Sequence, residues 1–345
     1  MPAPLSGGPG PEQAKVPAAS AAPLAAPALD GERPKSPGLL SRLLSIGRAL
    51  LALGILVILA LRIRDNLPAL RALSPTLEPA SLAAAALLAA LGLFGLPAAY
   101  ALTLARLGLY RPAHRWFYAR VWLQAYFFRY VPGKVVLVAE RIRLGRLAGI
   151  SATASVVLVV WESLLLLVGA GLVVVAALAF GQHDGGGANL GWLLGGAAGS
   201  AALLVLFPPL LRAAGRLPWL SGKLGKLSEL QLSTGAQAQV ALAYAAVWLC
   251  LGSSFAILSA TLVPLPDGSF PTLVFWYVAA YVIGFVSSIA PGGLGVREGI
   301  LVIGLTPVVG AGEALALAVA GRLFVTVVEL FCIGVARLVP APAQP

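Results

Sequence analysis

Charge is what this sequence has least of. Only 11% of its 345 residues are Asp, Glu, Lys or Arg, against about 25% in an ordinary soluble domain. A soluble globule of this length cannot cover its surface with so few charges, which excludes a soluble enzyme and a soluble nucleic-acid-binding domain. Acidic residues are scarcer still, 13 against 24 basic ones. There are two cysteines and two histidines. Cys250 and Cys332 both sit inside apolar runs and read as small buried hydrophobes, so neither a disulfide framework nor a metal site is implied. No Ser-His-Asp arrangement, His/Cys metal spacing or Walker loop occurs, and no cofactor is implied. Residues 1–37 contain no aromatic residue and are rich in Pro, Ala, Gly and Ser. Such a tail buries too little apolar surface to offset its ordering entropy and is expected to be disordered. No apolar core follows Met1 closely, so it does not read as a signal peptide.

Apolar residues fill the rest. They make up 59% of the chain, with a mean hydropathy of +0.91, and they fall in runs long enough to cross a bilayer. The expected fold is an all-α integral membrane protein of seven to eight transmembrane helices with two Pro-Gly-broken or re-entrant segments. It divides into the tail 1–37, a polytopic membrane domain over 38–338 and a short tail over 339–345. Full spans are predicted at about 46–63, 82–104, 153–180, 190–211, 238–263, 272–290 and 313–337. The net charge of +11 suits cytoplasmic loops and anionic head groups. The loops GQHDGGGAN and VPLPDGS carry no Lys or Arg, whereas Arg106, Arg111, Arg115 and Arg120, then Arg141, Arg143 and Arg146, then Arg212, Arg216, Lys223 and Lys226 form basic clusters. The alternation places the basic clusters in the cytoplasm and the N-terminus with them, in a cytoplasmic (inner) membrane.

Two segments break the apolar pattern. In WFYARVWLQAYFFRYVPGKVVLVAE (116–140), Pro132 and Gly133 interrupt the run, because Pro lacks an N–H and pushes the residue before it out of the helical region. In APGGLGVREG (290–299), Pro291, Gly292, Gly293 and Gly295 do the same, followed by a short apolar piece. Each break leads into an acid beside an arginine, Glu140-Arg141 and Arg297-Glu298, and then into a span with one buried acid, Glu162 or Glu329. The breaks lie 159 residues apart and the span acids 167. Paired broken helices in repeated halves point to a transporter-type site at the repeat interface.

The candidate binding residues follow from cost. A carboxylate at the bilayer centre costs about 2.5–3.5 kcal/mol or more, so Glu162 and Glu329 either lock helices together as ion pairs or line a substrate or proton pathway. Arg129, Lys134 and Arg297 lie closest to the breaks, where a new helix offers free N–H groups and a positive dipole end. They either hold a phosphate there or anchor segment ends by snorkelling. Glu140, Arg141 and Glu298 complete the candidate substrate-binding set. Arg322 is expected to partner Glu329, seven residues on in the last span. Gly292, Gly293, Gly295 and Gly299 read as backbone geometry and close helix approach, not as a nucleotide fingerprint.

The stretch YVPGKV with its following Glu140-Arg141 and Arg143, and the stretch PGGLGVREG, resemble the transmembrane region of lysylphosphatidylglycerol synthases, a flippase-like family. The resemblance runs over about 45–338. It implies a multi-span helical protein whose relatives move aminoacylated anionic phospholipids between leaflets, or serve polyisoprenoid-lipid glycan pathways or hopanoid biosynthesis. Carried over residue by residue, its motifs point to Pro132, Gly133, Lys134, Arg141, Pro291, Gly292, Gly293, Arg297 and Glu298. No soluble aminoacyl-transferase domain follows residue 338, so synthase activity is not expected. The expected function is translocation of an anionic or modified phospholipid, or of a polyprenyl-phosphate-linked lipid. The partners are membrane lipids with phosphate head groups and lipid-biosynthesis enzymes, and no nucleic acid. The alternative is a catalytic or non-catalytic membrane subunit of a lipid or glycan biosynthesis system.

Overall fold

In a computed structural model of the chain, the described residues are 78–130, 135–180, 230–287 and 295–342, together with Gly293 and isolated positions between 61 and 209. All belong to the unit Leu53–Pro345. The tail 1–37, most of the spans at 46–63 and 190–211, and Pro132, Gly133, Lys134, Pro291 and Gly292 lie outside them.

All regular structure among the described residues is helical. The helices are α1 (Pro79–Arg106), α2 (Arg115–Tyr126), α3 (Val135–Leu147), α4 (Ala152–Phe180), α5 (Thr234–Leu262), α6 (Phe270–Val286), α7 (Val296–Val309) and α8 (Ala311–Arg337). Four of them, α1, α4, α5 and α8, are long and apolar enough to cross a membrane, and α6 is a shorter apolar helix of 17 residues. At 1.5 Å per residue α6 is about 26 Å long, near the lower limit for a span. The predicted spans at 82–104, 153–180, 238–263 and 313–337 thus stand, each within a few residues. The chain is a multi-pass membrane protein.

Both broken segments are broken. In the first, the α-helix ends at Tyr126, a 3-10 turn covers Phe127–Tyr130, and α3 begins at Val135. The helix therefore stops earlier than the proline at 132. At 12 and 13 residues, α2 and α3 are each about 20 Å or less, too short to cross alone. In the second, α6 stops at Val286 and α7 starts at Val296 behind Gly293 and Gly295, whose φ angles are 69° and 82°. Each break leads into a short helix of 13 or 14 residues and then a long one of 29 or 27. The order of elements repeats as the sequence pattern does.

Small residues set the helix approaches. A Cβ on Gly169 of α4 would lie 2.8 Å from the Ala241 carbonyl oxygen and the Ala245 nitrogen of α5, so the two backbones touch there. In the same way Gly92 and Gly95 of α1 face Leu251 and Val247 of α5. Buried polar side chains stitch helices across these contacts. Ser254 Oγ donates to the Ala85 carbonyl at 2.7 Å, and Trp248 Nε1 to the Leu166 carbonyl at 2.9 Å. Large apolar side chains such as Leu87, Leu91, Leu242, Ile303 and Phe331 stand exposed, as expected of faces turned to lipid.

One turn positions the first half of the site. Helix α3 ends with Gly149 at φ 76°; its N–H reaches the Arg146 carbonyl, and the Ile150 N–H reaches that of Gly145. These are the two bonds of a Schellman cap, which needs the left-handed conformation that glycine adopts most readily. Ser151 then caps α4, its Oγ accepting the Ala154 N–H at 3.1 Å. The chain reverses within a few residues, so α3 and α4 pack side by side.

Candidate functional site

Arg141 stands ten residues before Ser151 and Glu162 eleven after it. In a helical hairpin those distances, about 15 and 16 Å, bring the two side chains level. They meet as a bidentate pair: Nη1 donates to Oε1 at 3.1 Å and Nη2 to Oε2 at 2.8 Å. Both side chains are at least nine-tenths buried. The guanidinium also lies over the rings of Tyr100, at 4.8 Å, and Trp122, at 5.1 Å. Two of its nitrogens are taken by the carboxylate, while Nε is buried without a hydrogen-bond partner among the described residues. Next to it, Arg143 pairs with Glu140 through two bonds of 2.8 and 2.7 Å, with the arginine half exposed.

The second acid pairs across the fold. Glu329 of α8 is held by Arg129 from the 3-10 turn of the first break, Nη2 to Oε2 at 2.5 Å. The expected Glu329–Arg322 pair does not form. Seven residues put the two on one helix face but about 10 Å apart along it. Arg322 instead faces Glu298 on the neighbouring α7, with Nη1 and Oε1 3.8 Å apart. Glu298 also accepts the Gly295 N–H at 2.7 Å, so it caps the helix that starts at the second break. Glu329 Oε1 is buried and accepts no hydrogen bond among the described residues.

Around the Arg129–Glu329 pair lies a cluster of tyrosines that the charge-based reading missed. Tyr281 of α6 is its centre. Its hydroxyl is 2.7 Å from that of Tyr126 and 3.4 Å from Arg129 Nη1. Arg129 also sits over the Tyr126 ring at 4.1 Å. On the face of the Tyr281 ring lies Arg297, its guanidinium carbon 3.4 Å from the centroid. Trp248 packs edge-on to the same ring at 5.0 Å. The signal for these residues is the aromatic density of RWFYARVWLQAYFFRY and FWYVAAY, unusual at the level of a break.

Arg297 differs from the other arginines of the site. It is only 7% exposed. Its stem is threaded between two glycines: a Cβ on Gly284 of α6 would collide with Arg297 Cγ, and one on Gly293 would lie 3.1 Å from Cδ. Arg129, Arg141, Arg143 and Arg322 each face a carboxylate. Among the described residues Arg297 has no carboxylate within ion-pair distance, and its one close polar contact is the Tyr281 ring.

The structure thus brings Arg129, Arg297 and Glu329 together in one cluster. It places Arg141 and Glu162 in a separate closed pair beside Glu140 and Arg143, and Glu298 at the start of α7. A search of curated proteins returned no match to the chain. A family model described as the lysylphosphatidylglycerol synthase TM region matches residues 24–333, nearly the whole sequence. Together with the paired breaks and the buried charges, that match identifies the chain as a member of the family of the lysylphosphatidylglycerol synthase transmembrane region.

Proposed function

We propose that the protein is a translocase for an anionic or modified phospholipid, or a polyprenyl-phosphate-linked lipid, in the cytoplasmic membrane, with its N-terminus in the cytoplasm. Family membership fits a membrane role concerned with lipid. The observation that carries the translocase reading is Arg297, a buried cation beside a helix break with no carboxylate within ion-pair distance among the described residues. A charge in that setting is costly, and a passing phosphate offsets the cost. Lipid head groups cross a bilayer slowly because their polar groups must be desolvated. A buried cation flanked by hydroxyls replaces part of the lost hydration. The Arg141–Glu162 pair closes on itself and serves the reading as architecture, holding α3 and α4 in register beside the cluster.

The test is reconstitution into liposomes with a fluorescent anionic phospholipid and a membrane-impermeant quencher. The wild-type protein is expected to speed exchange between leaflets, and Arg297→Ala to slow it about tenfold, the loss of roughly one charge-assisted hydrogen bond. Exchange at the wild-type rate in Arg297→Ala removes the site from the proposal. A new lipid product formed from lipid-linked sugar or aminoacyl donors replaces translocation with catalysis.

A further inference from the structure

Helix α6 carries two features that place Arg297. Gly284 leaves the slot through which its stem runs, since a Cβ there would collide with Arg297 Cγ. Tyr281, three residues earlier and so on the same helix face, supplies the ring under the guanidinium, 3.4 Å from carbon to centroid. That ring is itself wedged by Trp248 of α5, edge-on at 5.0 Å, and by Tyr277, at 6.0 Å. Its hydroxyl serves other partners, lying 2.7 Å from that of Tyr126 and 3.4 Å from Arg129 Nη1. One side chain therefore touches an arginine beside each break, one through its face and the other through its oxygen. A ring face and a carboxylate hold an arginine differently. The face attracts the charge without cancelling it and leaves the N–H edges of the guanidinium plane open. Arg141 shows the alternative: it too lies over rings, those of Tyr100 and Trp122, but both its Nη groups are taken by Glu162. Arg297 has the ring and, among the described residues, no carboxylate in reach.

We infer that Tyr281 is the positioning residue of the cluster, with two separable parts. Its ring fixes the guanidinium of Arg297 so that the N–H edges face an incoming acceptor. Its hydroxyl ties Arg129 and Tyr126, and with them the 3-10 turn of the first break, to α6. A tyrosine is stiff, with only two side-chain torsions, so a single side chain sets the two cations relative to one another. The role rests on the translocase reading for what Arg297 serves. The placement of the two arginines does not, and it is measured directly. A tyrosine present only to fill volume behaves otherwise: phenylalanine replaces it without effect, and leucine loosens both arginines alike.

The experiment applies phenylglyoxal, which modifies the guanidinium groups it can reach, to the full-length protein in nanodiscs, and mass spectrometry reads each arginine. In the wild type, buried Arg129 and Arg297 should react at least about tenfold more slowly than half-exposed Arg143. Tyr281→Phe keeps the ring and loses the hydroxyl. Arg129 is then expected to react about fivefold faster, the effect of one lost hydrogen bond, and Arg297 as in the wild type. Tyr281→Leu loses both parts, and Arg297 is expected to react at least about tenfold faster. Arg141, held by Glu162, should not change in either variant. Where Tyr281→Leu fails to give monodisperse protein, Tyr281→Met takes its place, and Tyr126→Phe repeats the hydroxyl arm from the other side. In the lipid-exchange assay, the mole fraction of phosphatidylglycerol at half-maximal rate should rise about tenfold in Tyr281→Leu and stay unchanged in Tyr281→Phe. Three labelling results overturn the role of the ring: Arg297 reacting as fast as Arg143 in the wild type, exposure of Arg297 by Tyr281→Phe as far as by Tyr281→Leu, or its continued protection in Tyr281→Leu. A half-maximal fraction unmoved by Tyr281→Leu does the same. An Arg129 rate unmoved by Tyr281→Phe, or a parallel rise at Arg141, overturns the role of the hydroxyl. The expected labelling in a protein that moves no lipid leaves Tyr281 in its role and sinks the translocase proposal; lipid exchange with labelling unmoved by every variant does the reverse.

Discussion

Arg129 and Glu329 are 200 residues apart in the chain and 2.5 Å apart in the fold. The arginine comes from the 3-10 turn of the first break and the acid from the middle of the last long helix. The pair ties the two halves of the sequence pattern together. It also determines which arginine is left over. In the first half the arginine after the break, Arg141, takes the acid of the next helix. In the second half the corresponding arginine, Arg297, finds that acid already held by Arg129.

Removing one partner of such a pair should be far worse than removing both. Arg129→Met or Glu329→Met leaves an uncompensated buried charge and is expected to cost about 3–5 kcal/mol. The double variant should recover much of that loss. Thermal unfolding in detergent, run as a double-mutant cycle, measures the recovery; additive losses would show that the two charges do not act as a pair.

Two neighbouring arginines on α3 should behave differently. Arg141 is buried against Glu162, Tyr100 and Trp122, whereas the Arg143 side chain is 49% exposed. Arg141→Ala is expected to destabilise by about 3 kcal/mol or more, and Arg143→Ala by about 1 kcal/mol or less. The same unfolding assay compares them, and equal shifts would contradict the burial difference.

Gly169 and Gly235 provide a packing contrast. A Cβ at Gly169 meets the backbone of α5, while one at Gly235 meets nothing within 4 Å. Gly169→Ala should cost about 1–3 kcal/mol through forced helix separation. Gly235→Ala should be neutral or mildly stabilising because alanine is the better helix former. Expression yield and melting temperature in detergent read both outcomes.

Gly284→Ala tests how Arg297 is held. The added methyl collides with the arginine stem, so the guanidinium must leave its place over the Tyr281 ring. Lipid exchange is expected to fall nearly as far as in Arg297→Ala, while the α-helical circular dichroism signal is unchanged. A wild-type exchange rate would mean that the stacked position of Arg297 is not the one that matters.

The long helices were readable because each is an apolar run bounded by charge, proline or glycine. The predicted span at 238–263 became Thr234–Leu262 and that at 313–337 became Ala311–Arg337. Both breaks were readable from Pro and Gly, since backbone geometry is a local property. The Arg141–Glu162 pair was within reach of the sequence too: a Gly-containing turn lies almost midway between the two residues, and an antiparallel hairpin brings them level. The tyrosine cluster left only the aromatic density of two segments as a trace, because aromatic residues in an apolar segment look the same whether they face lipid or the protein interior.

The amino-acid order alone settled that this chain lives in a membrane, where four of its long helices run to within a few residues, and which few ionisable residues fall in or beside its apolar segments. Only packing decided which of those charges meet. An apolar helix such as α4 has no polar stripe to fix its rotation, and lipid solvates one apolar face as well as another. Its rotation comes from close approaches such as Gly169 against α5, contacts between segments far apart in sequence. On α8 the close approach is at Gly321, where a Cβ would lie 2.6 Å from the Phe255 ring of α5; Glu329 there meets Arg129 and not Arg322, and Arg297 lies against Tyr281 with no carboxylate in reach among the described residues.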